Sequence, residues 1–470
     1  MNDVVLPKKG TDVELTIESL AFGGMGVSHI HNAVVFVKNA IPGQKVVARI
    51  TKKRSSFLEA RRLRVVSESP QAVEVKCKHF ENCGGCTLQN LDYSVQLKYK
   101  EEQVKDIFRR IGGFQKISVE PILGCDEQFH YRNKMEFTFS NRRWTIDGQD
   151  ENLPENFALG LHVPGRWDKI LNIDECYLQQ SIATEILQRT KKLAYELNLE
   201  PYDIKNHTGF LRNLVIRVQE TGELMVNIVT SREEPKLLEP IIEMIVKEFP
   251  QVTSLVNNIT TRRAGVSHGE WEVVLHGNDH IIEKLGDYEF EISANSFFQT
   301  NTNQAKNLYD IIAEESELTG NEVVYDLFCG TGSISLYLSK KAKMVYGFEL
   351  VGDAVQDAME NAQKNGVDNA WFFSGDLMNL FRTNIEAQKL ESPDVVVLDP
   401  PRAGLHPKTI PDIIKKSPKR IVYVSCNPAT QARDVKDLCD NGYQLTKLRP
   451  VDMFPHTPHI ENVATLVRLD

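Results

Sequence analysis

Four apolar or aromatic residues, Ile421, Val422, Tyr423 and Val424, run into Ser425, Cys426, Asn427 and Pro428. A thiol where a buried strand stops, followed by a proline that forbids its continuation, sits at the carboxyl end of a sheet, where open α/β sheets bind ligands. Cys426 is therefore a candidate nucleophile. A lone free cysteine is more often an inert core residue, so the neighbouring strand ends must supply its reason. Upstream, the run DLFCGTG places Asp326, Phe328, Gly330 and Gly332 at the end of another strand. Two glycines permit a tight turn and close backbone approach to a nucleotide-like ligand, and Glu349 follows about 20 residues on, where ribose hydroxyls are gripped. Neither G-x-G-x-x-G nor a following Gly-Lys-Ser/Thr is present, so a nucleoside without a phosphate chain fits better.

This acid-x-x-x-Gly-x-Gly form resembles the first motif of S-adenosylmethionine-dependent methyltransferases. The resemblance implies that Asp376, after a further strand, lies near the adenine and that Phe328 lines the pocket. Asp399-Pro400-Pro401-Arg402 follows VVVL and resembles the motif of methyltransferases acting on planar nitrogen. Those enzymes continue with a stacking aromatic residue. Arg402 stands there instead, which favours chemistry through Cys426.

The elements that must position these residues follow from composition and pattern. At 470 residues the chain exceeds one ordinary core, and about 150 residues per domain suggests three. Apolar content of 41% and charged content of 25% suit a globular protein. No stretch approaches the roughly 20 apolar residues of a membrane span, and the start MNDVVLPKKG lacks an apolar signal segment. A cytoplasmic monomer is expected, and there the eight cysteines serve as ligands, reactive thiols or core residues rather than disulfides. Net charge is -9, yet residues 1–66 hold eleven Lys and Arg against five Asp and Glu, so the amino end is the contact for a polyanion.

Within that basic end, short β-rich runs broken by FGGMG and IPG read as a small barrel. Lys52, Lys53, Arg54, Arg61, Arg62 and Arg64 surround Phe57 on its last hairpin, a combination suited to nucleic acid. The segment resembles a TRAM domain, an RNA-binding module of OB-like shape. Cys77-x5-Cys83-x2-Cys86 wraps one metal centre, with Cys176 or Cys125 as fourth ligand. Spacing leaves zinc and iron with sulfide both open. Residues 91–111 read as a helix stopped by Gly112 and Gly113, and the rest of the middle region as α+β, with Arg132 and Lys134 in YRNKMEF placed to face RNA. From about Tyr288, strands alternate with helices, which implies a doubly wound, mostly parallel sheet.

DLFCGTG, LDPPRAG, SCNP, HIENVATL, the cysteine set and the barrel together resemble the bacterial RNA uracil-5-methyltransferase family. Its ribosomal branch carries both a TRAM domain and a 4Fe-4S cluster. The fold so implied is α/β: a Rossmann-like S-adenosylmethionine-dependent methyltransferase domain over 289–470, an OB-like TRAM barrel over 1–66, and an α+β iron-sulfur middle domain over 67–288. In that middle domain, helix 91–111 is a candidate to pack on the catalytic domain. By the resemblance, Cys77, Cys83, Cys86 and Cys176 are cluster ligands. Gln299, Phe328, Glu349 and Asp399 contact S-adenosylmethionine, with Asp326, Gly330, Gly332 and Asp376 beside them, and Phe297 packs near the target base. Ser333 replaces an asparagine common in the family.

The chemistry then has a reason for the thiol. C5 of uracil is a poor nucleophile until a thiolate adds at C6, so Cys426 is the expected covalent catalyst and Glu461 the base that removes the C5 proton. The target uridine must leave its stack. The expected substrate is 23S rRNA. The alternatives are tRNA, an iron-sulfur redox or radical enzyme, and a non-catalytic RNA-binding protein. Radical enzymes with a TRAM domain use C-x3-C-x2-C, which this chain lacks.

Overall fold

The computed structural model describes residues 6–146, 154–263, 267–377 and 389–469. At the amino end, strands Asp12–Thr16, Ser19–Leu20, Gly26–Ile30, Ala33–Lys38, Lys45–Lys53 and Phe57–Ser67 form one sheet whose two edges are Asp12–Thr16 and Ser19–Leu20. Those edges are consecutive pieces of one bent strand. Ile17 N–H donates to Gln44 O at 2.9 Å and Glu18 N–H to Val27 O at 2.8 Å, which closes the sheet into a barrel around Leu15, Val35, Val37, Val46 and Leu58. Closure removes the open edges that would otherwise invite pairing.

The middle sheet has eight strands, with Lys134–Ser140, Leu211–Val218 and Leu224–Thr230 near its centre and Trp271–Gly277 at one edge. Alternation divides its faces. Met135, Phe137 and Phe139, with Leu214 and Ile216, pack beneath helices Ser181–Glu196 and Pro235–Glu248. Arg166–Asn172 is also a strand here, paired with Ala158–Val163.

The third sheet runs Ala370–Ser374, Met344–Glu349, Val323–Leu327, Val395–Leu398, Arg420–Ser425, Glu461–Arg468, Tyr443–Val451. The first five strands are parallel and Glu461–Arg468 is antiparallel to both its neighbours. The order reverses between Val323–Leu327 and Val395–Leu398, so their carboxyl ends diverge and leave a crevice. Hairpin His280–Leu285 and Tyr288–Ser293 packs into this core through Ile281, Leu285, Phe290 and Ile292. The expected boundary at residue 288 therefore falls inside a paired unit; period-two alternation alone did not say which core the hairpin joins.

Helix Tyr93–Arg110 lies against the catalytic sheet, with Val104 and Phe108 in its core. Lys100 Nζ donates to Asp452 Oδ1 at 2.6 Å, with side chains 1% and 0% exposed. Tyr93 OH donates to the other carboxylate oxygen at 2.9 Å. This buried pair anchors the segment 452–460 from behind. Lys100→Met alone should lower unfolding free energy by about 3–5 kcal/mol, because it strands a buried carboxylate. Lys100→Met with Asp452→Leu should recover much of that loss in the same chemical denaturation series.

Candidate active site

Turns from successive strand ends meet in the crevice. Gly330 and Gly332 adopt φ of 54° and 78°, and a Cβ on Gly332 would stand 2.9 Å from the side chains of Ala358 and Phe372. Only glycine lets the turn pass so close. Phe328 shares the left-handed backbone at φ 69°, a conformation costing a non-glycine residue about 1–3 kcal/mol and concentrated at ligand-binding turns.

Glu349 accepts from Leu350 N–H at 2.7 Å, Val351 N–H at 3.0 Å and Gly330 N–H at 3.2 Å. Its half-buried carboxylate thus bridges two strand ends in the position that suits ribose hydroxyls. Asp376 follows the Ala370–Ser374 strand and is also half-buried. Gln299 is fixed through its carbonyl, which accepts from Asn133 Nδ2 at 2.9 Å, and Ser333 Oγ pairs with Tyr309 OH at 2.8 Å. Asp326 departs from expectation. It has no exposed surface, and Ser335 Oγ donates to it at 2.6 Å, so it props the glycine turn from beneath rather than presenting itself to a ligand.

Cys426 and Glu461, the expected nucleophile and base, are brought together by register. Arg420–Ser425 pairs antiparallel with Glu461–Arg468, Ser425 opposite Asn462, and one further step sets Cys426 across from Glu461. Asn427 caps the helix Pro428–Cys439, its side-chain oxygen accepting from Ala429 N–H at 3.2 Å. Its Nδ2 donates to Arg402 O at 3.0 Å, as does Thr430 Oγ1 at 3.2 Å.

Arg402, whose sequence signal was only the missing aromatic, proves to be the central cation. Its charge bears on the Cys426 thiol, and its guanidinium donates to His459 Nδ1 at 3.3 Å. Burial, then the charge of Glu461, pushes the Cys426 thiol up to about 11, with Arg402 opposing. Burial and Asp399 hold Glu461 well above the carboxylate range, again against Arg402. Asp399 rises to about 7 through burial and the charge of Asp326. Burial and Arg402 lower His459 to about 4, so the imidazole is neutral and accepts at Nδ1. His459 was not singled out in the sequence; its place two residues before Glu461 was the available signal.

On the open side, Phe297 is 69% exposed, and its carbonyl accepts from Thr331 Oγ1 at 3.5 Å. Arg132 lies 5.7 Å from the Phe454 ring and donates through Nε to Lys134 O at 2.9 Å. It borders the crevice, because Phe454 in turn packs edge-on against His459. Lys134 is instead drawn into an ion pair with Glu136 at 2.6 Å.

Cys77, Cys83, Cys86 and Cys176 line one separate cavity beside the buried His79. Cys125 lies elsewhere, its sulfur accepting from Asn301 Nδ2 at 3.3 Å. Among the described residues no three His, Cys, Asp or Glu groups are arranged to hold one metal ion. The four sulfurs line one cavity, and an all-thiol set is chemically compatible with zinc or with an iron-sulfur group. Burial and the neighbouring sulfurs push Cys83 up to about 12, so ligation must displace protons. Just after Cys86, the N–H groups of Thr87 and Leu88 both donate to His456 O, at 2.9 and 3.0 Å.

Residues 272–469 match the family described as tRNA (Uracil-5-)-methyltransferase, and residues 8–63 match the TRAM domain. An uncharacterized RNA methyltransferase of Chlorobaculum tepidum is 44% identical over 98% of each chain. One of Porphyromonas gingivalis is 42% identical, covering 97% of this chain and 99% of its own. Among solved structures, Pyrococcus abyssi tRNA (uracil-54, C5)-methyltransferase in complex with S-adenosyl-L-homocysteine superposes with a TM-score of 0.76 at 31% identity. That match covers 97% of this chain and 100% of the other.

The charges around Cys426 are testable by titration. Alkylation of Cys426 by iodoacetamide should rise with pH toward about 11. Glu461→Gln removes a raising charge and should move the profile to lower pH, whereas Arg402→Met removes a lowering one and should move it higher.

Proposed function

The chain belongs to the RNA uracil-5-methyltransferase family and is an S-adenosylmethionine-dependent enzyme of that class; from that premise we propose that it methylates uridine C5 through a covalent Cys426–C6 adduct. The observation that carries this reading is the register that faces Cys426 with Glu461 across two neighbouring strands. S-adenosylmethionine supplies an electrophilic methyl, gripped by Glu349 and Gln299 and bordered by Phe328, Asp376 and Asp399 over the Gly330–Gly332 turn.

Each remaining step belongs to residues of this chain. The Cys426 thiolate, stabilised by Arg402, adds to C6 and pushes the C5–C6 electron pair onto C5 and O4. Phe297 packs against the extruded base, and Arg132 binds the strand that carries it, with Lys134 behind. C5 attacks the methyl carbon as the methyl–sulfonium bond breaks, its electron pair staying on sulfur so that S-adenosylhomocysteine would be the leaving group. Glu461 then takes the C5 proton, the C5–C6 double bond re-forms, and the C6–sulfur bond breaks to release the thiolate. A carboxylate raised by burial is suited to accept that proton near neutral pH.

For the substrate we take 23S rRNA, supported by the joint presence of the barrel and the four-cysteine cavity. One observation favours tRNA as a second reading: the solved relative that matches along the whole chain acts on tRNA uracil-54. We place the enzyme in the cytoplasm as a monomer; no helix among the described residues is long and apolar enough to cross a membrane. The four cysteines we assign to a 4Fe-4S cluster, which cross-links the segments around Cys77–Cys86 and Cys176 and takes no step in methyl transfer.

Cys426→Ala should abolish methyl transfer while S-adenosylmethionine binding by calorimetry is unchanged; full activity would sink the mechanism. Glu461→Gln should lower turnover about 10²–10⁴-fold and accumulate a protein–RNA adduct that survives denaturing electrophoresis. Mapping 5-methyluridine in RNA from cells with and without the protein separates the substrates: loss from 23S rRNA supports the first reading, and loss confined to tRNA replaces it. Cys86→Ser should lose iron and sulfide together and lower both thermal stability and RNA affinity; a cluster-free protein unchanged in both would contradict the structural role.

A further inference from the structure

On the middle sheet, away from the crevice, an open cleft is walled by Trp167 and Tyr202 and floored by Thr138 and Asn213. We propose that this cleft takes one unstacked base of the substrate RNA, several nucleotides from the uridine being methylated. The proposal rests on the RNA methyltransferase reading and adds to it a second point of contact, outside both the barrel and the catalytic domain.

Trp167 is 62% exposed, an indole face left to water beside a polar floor. Lys205 Nζ stands 5.9 Å from its ring centroid. Across the cleft, the Arg212 guanidinium lies 4.3 Å over the Tyr202 ring. Arg212 is 3% exposed and is held by the carbonyls of Thr260 at 3.1 Å and Arg262 at 2.7 Å, so the Tyr202 wall is braced from behind.

The floor offers polar groups for a base edge: Asn213 Nδ2 donates to Thr138 Oγ1 at 3.2 Å, leaving one hydroxyl and one carboxamide side by side. Among the described residues lining the cleft the one carboxylate, Asp168, is offset by Arg166 at 3.3 Å and Lys205 at 3.5 Å. A stacking face flanked by cations, with hydrogen-bonding groups beneath, matches the recognition of single-stranded nucleic acid, and stacking accepts any base.

Its placement follows from strand geometry. Asn133, whose carboxamide holds Gln299 O at 2.9 Å, directly precedes the Lys134–Ser140 strand, and Thr138 is five residues on, about 17 Å along it. Lys134 and Thr138 share a face of that strand, while Met135 and Phe137 turn to the opposite core. A single strand leaving the crevice past Arg132 therefore meets the cleft on the same surface.

The test uses the full-length enzyme and total RNA from a strain lacking it, which contains the substrate whichever RNA that is. Trp167→Ala should raise the KM for RNA about tenfold, the equivalent of one base stacked on an aromatic side chain. kcat and the KM for S-adenosylmethionine should stay unchanged, and Trp167→Phe should restore most of the RNA affinity. With 4-thiouridine-substituted RNA, photocrosslinks should map to the peptide carrying Trp167 as well as to peptides around Phe297. An unchanged RNA KM in Trp167→Ala, with crosslinks around Phe297 only, would overturn the cleft and leave the methyl-transfer reading intact. If wild-type enzyme transfers no methyl groups to this RNA, it is the uridine reading that fails, and the crosslinks alone decide the cleft.

Discussion

One antiparallel register governs this molecule. Had the strands Arg420–Ser425 and Glu461–Arg468 slipped by a single residue, Glu461 would turn to the opposite face of the sheet and Cys426 would face a different side chain. Several contacts make the slip costly. Gln431 Nε2 donates to both Tyr423 O and Asn462 O, at 2.7 and 2.9 Å, and Asn462 Nδ2 returns a bond to Gln431 Oε1 at 2.7 Å. The helix that begins at Pro428 is thereby clamped to both strands at once. Behind them, Lys100 and Tyr93 hold Asp452, so the loop carrying Phe454 and His459 reaches Glu461 from a fixed origin.

The same closeness produces the electrostatics. Asp326, Asp399 and Glu461 share one poorly solvated region, and each carboxyl is raised above its ordinary range by burial, with at least one of the others contributing to Asp399 and Glu461. Into this acidic ground Arg402 brings one cation, which opposes the shift of Glu461 and of the Cys426 thiol alike. A thiol held up near 11 resists adventitious oxidation and alkylation, because the thiolate is the reactive form. A raised carboxylate holds a transferred proton more readily than a free one. Both shifts follow chiefly from burial.

The four-cysteine cavity and the crevice are distinct sites that share a wall. The backbone just after Cys86 hydrogen-bonds His456 O, Gln96 Oε1 accepts from His456 N–H at 3.0 Å, and Tyr131 OH donates to Pro455 O at 3.1 Å. Order in the cysteine segment thus bears on the loop that precedes Glu461. The middle domain is in this sense packed into the support of that loop.

Much of this was legible in the chain itself. Gly330 and Gly332 declared a tight turn because few residues tolerate positive φ, and alternating strands and helices from about residue 288 declared a mostly parallel sheet, since only crossovers can join parallel strands. Cysteine spacing foretold only that Cys77, Cys83 and Cys86 would share one cavity wall. Tertiary packing decided what lies far apart in sequence. It set Cys176 beside Cys77, Cys83 and Cys86 and left Cys125 elsewhere, buried Asp326 against Ser335, and drew Lys134 toward Glu136. It also gave Arg402 and His459 their places beside Cys426. Local pattern specifies which way a side chain turns from its own strand; which strand lies next, and in what register, is set by the burial of whole faces against one another, and the pairing of Cys426 with Glu461 is of that second kind.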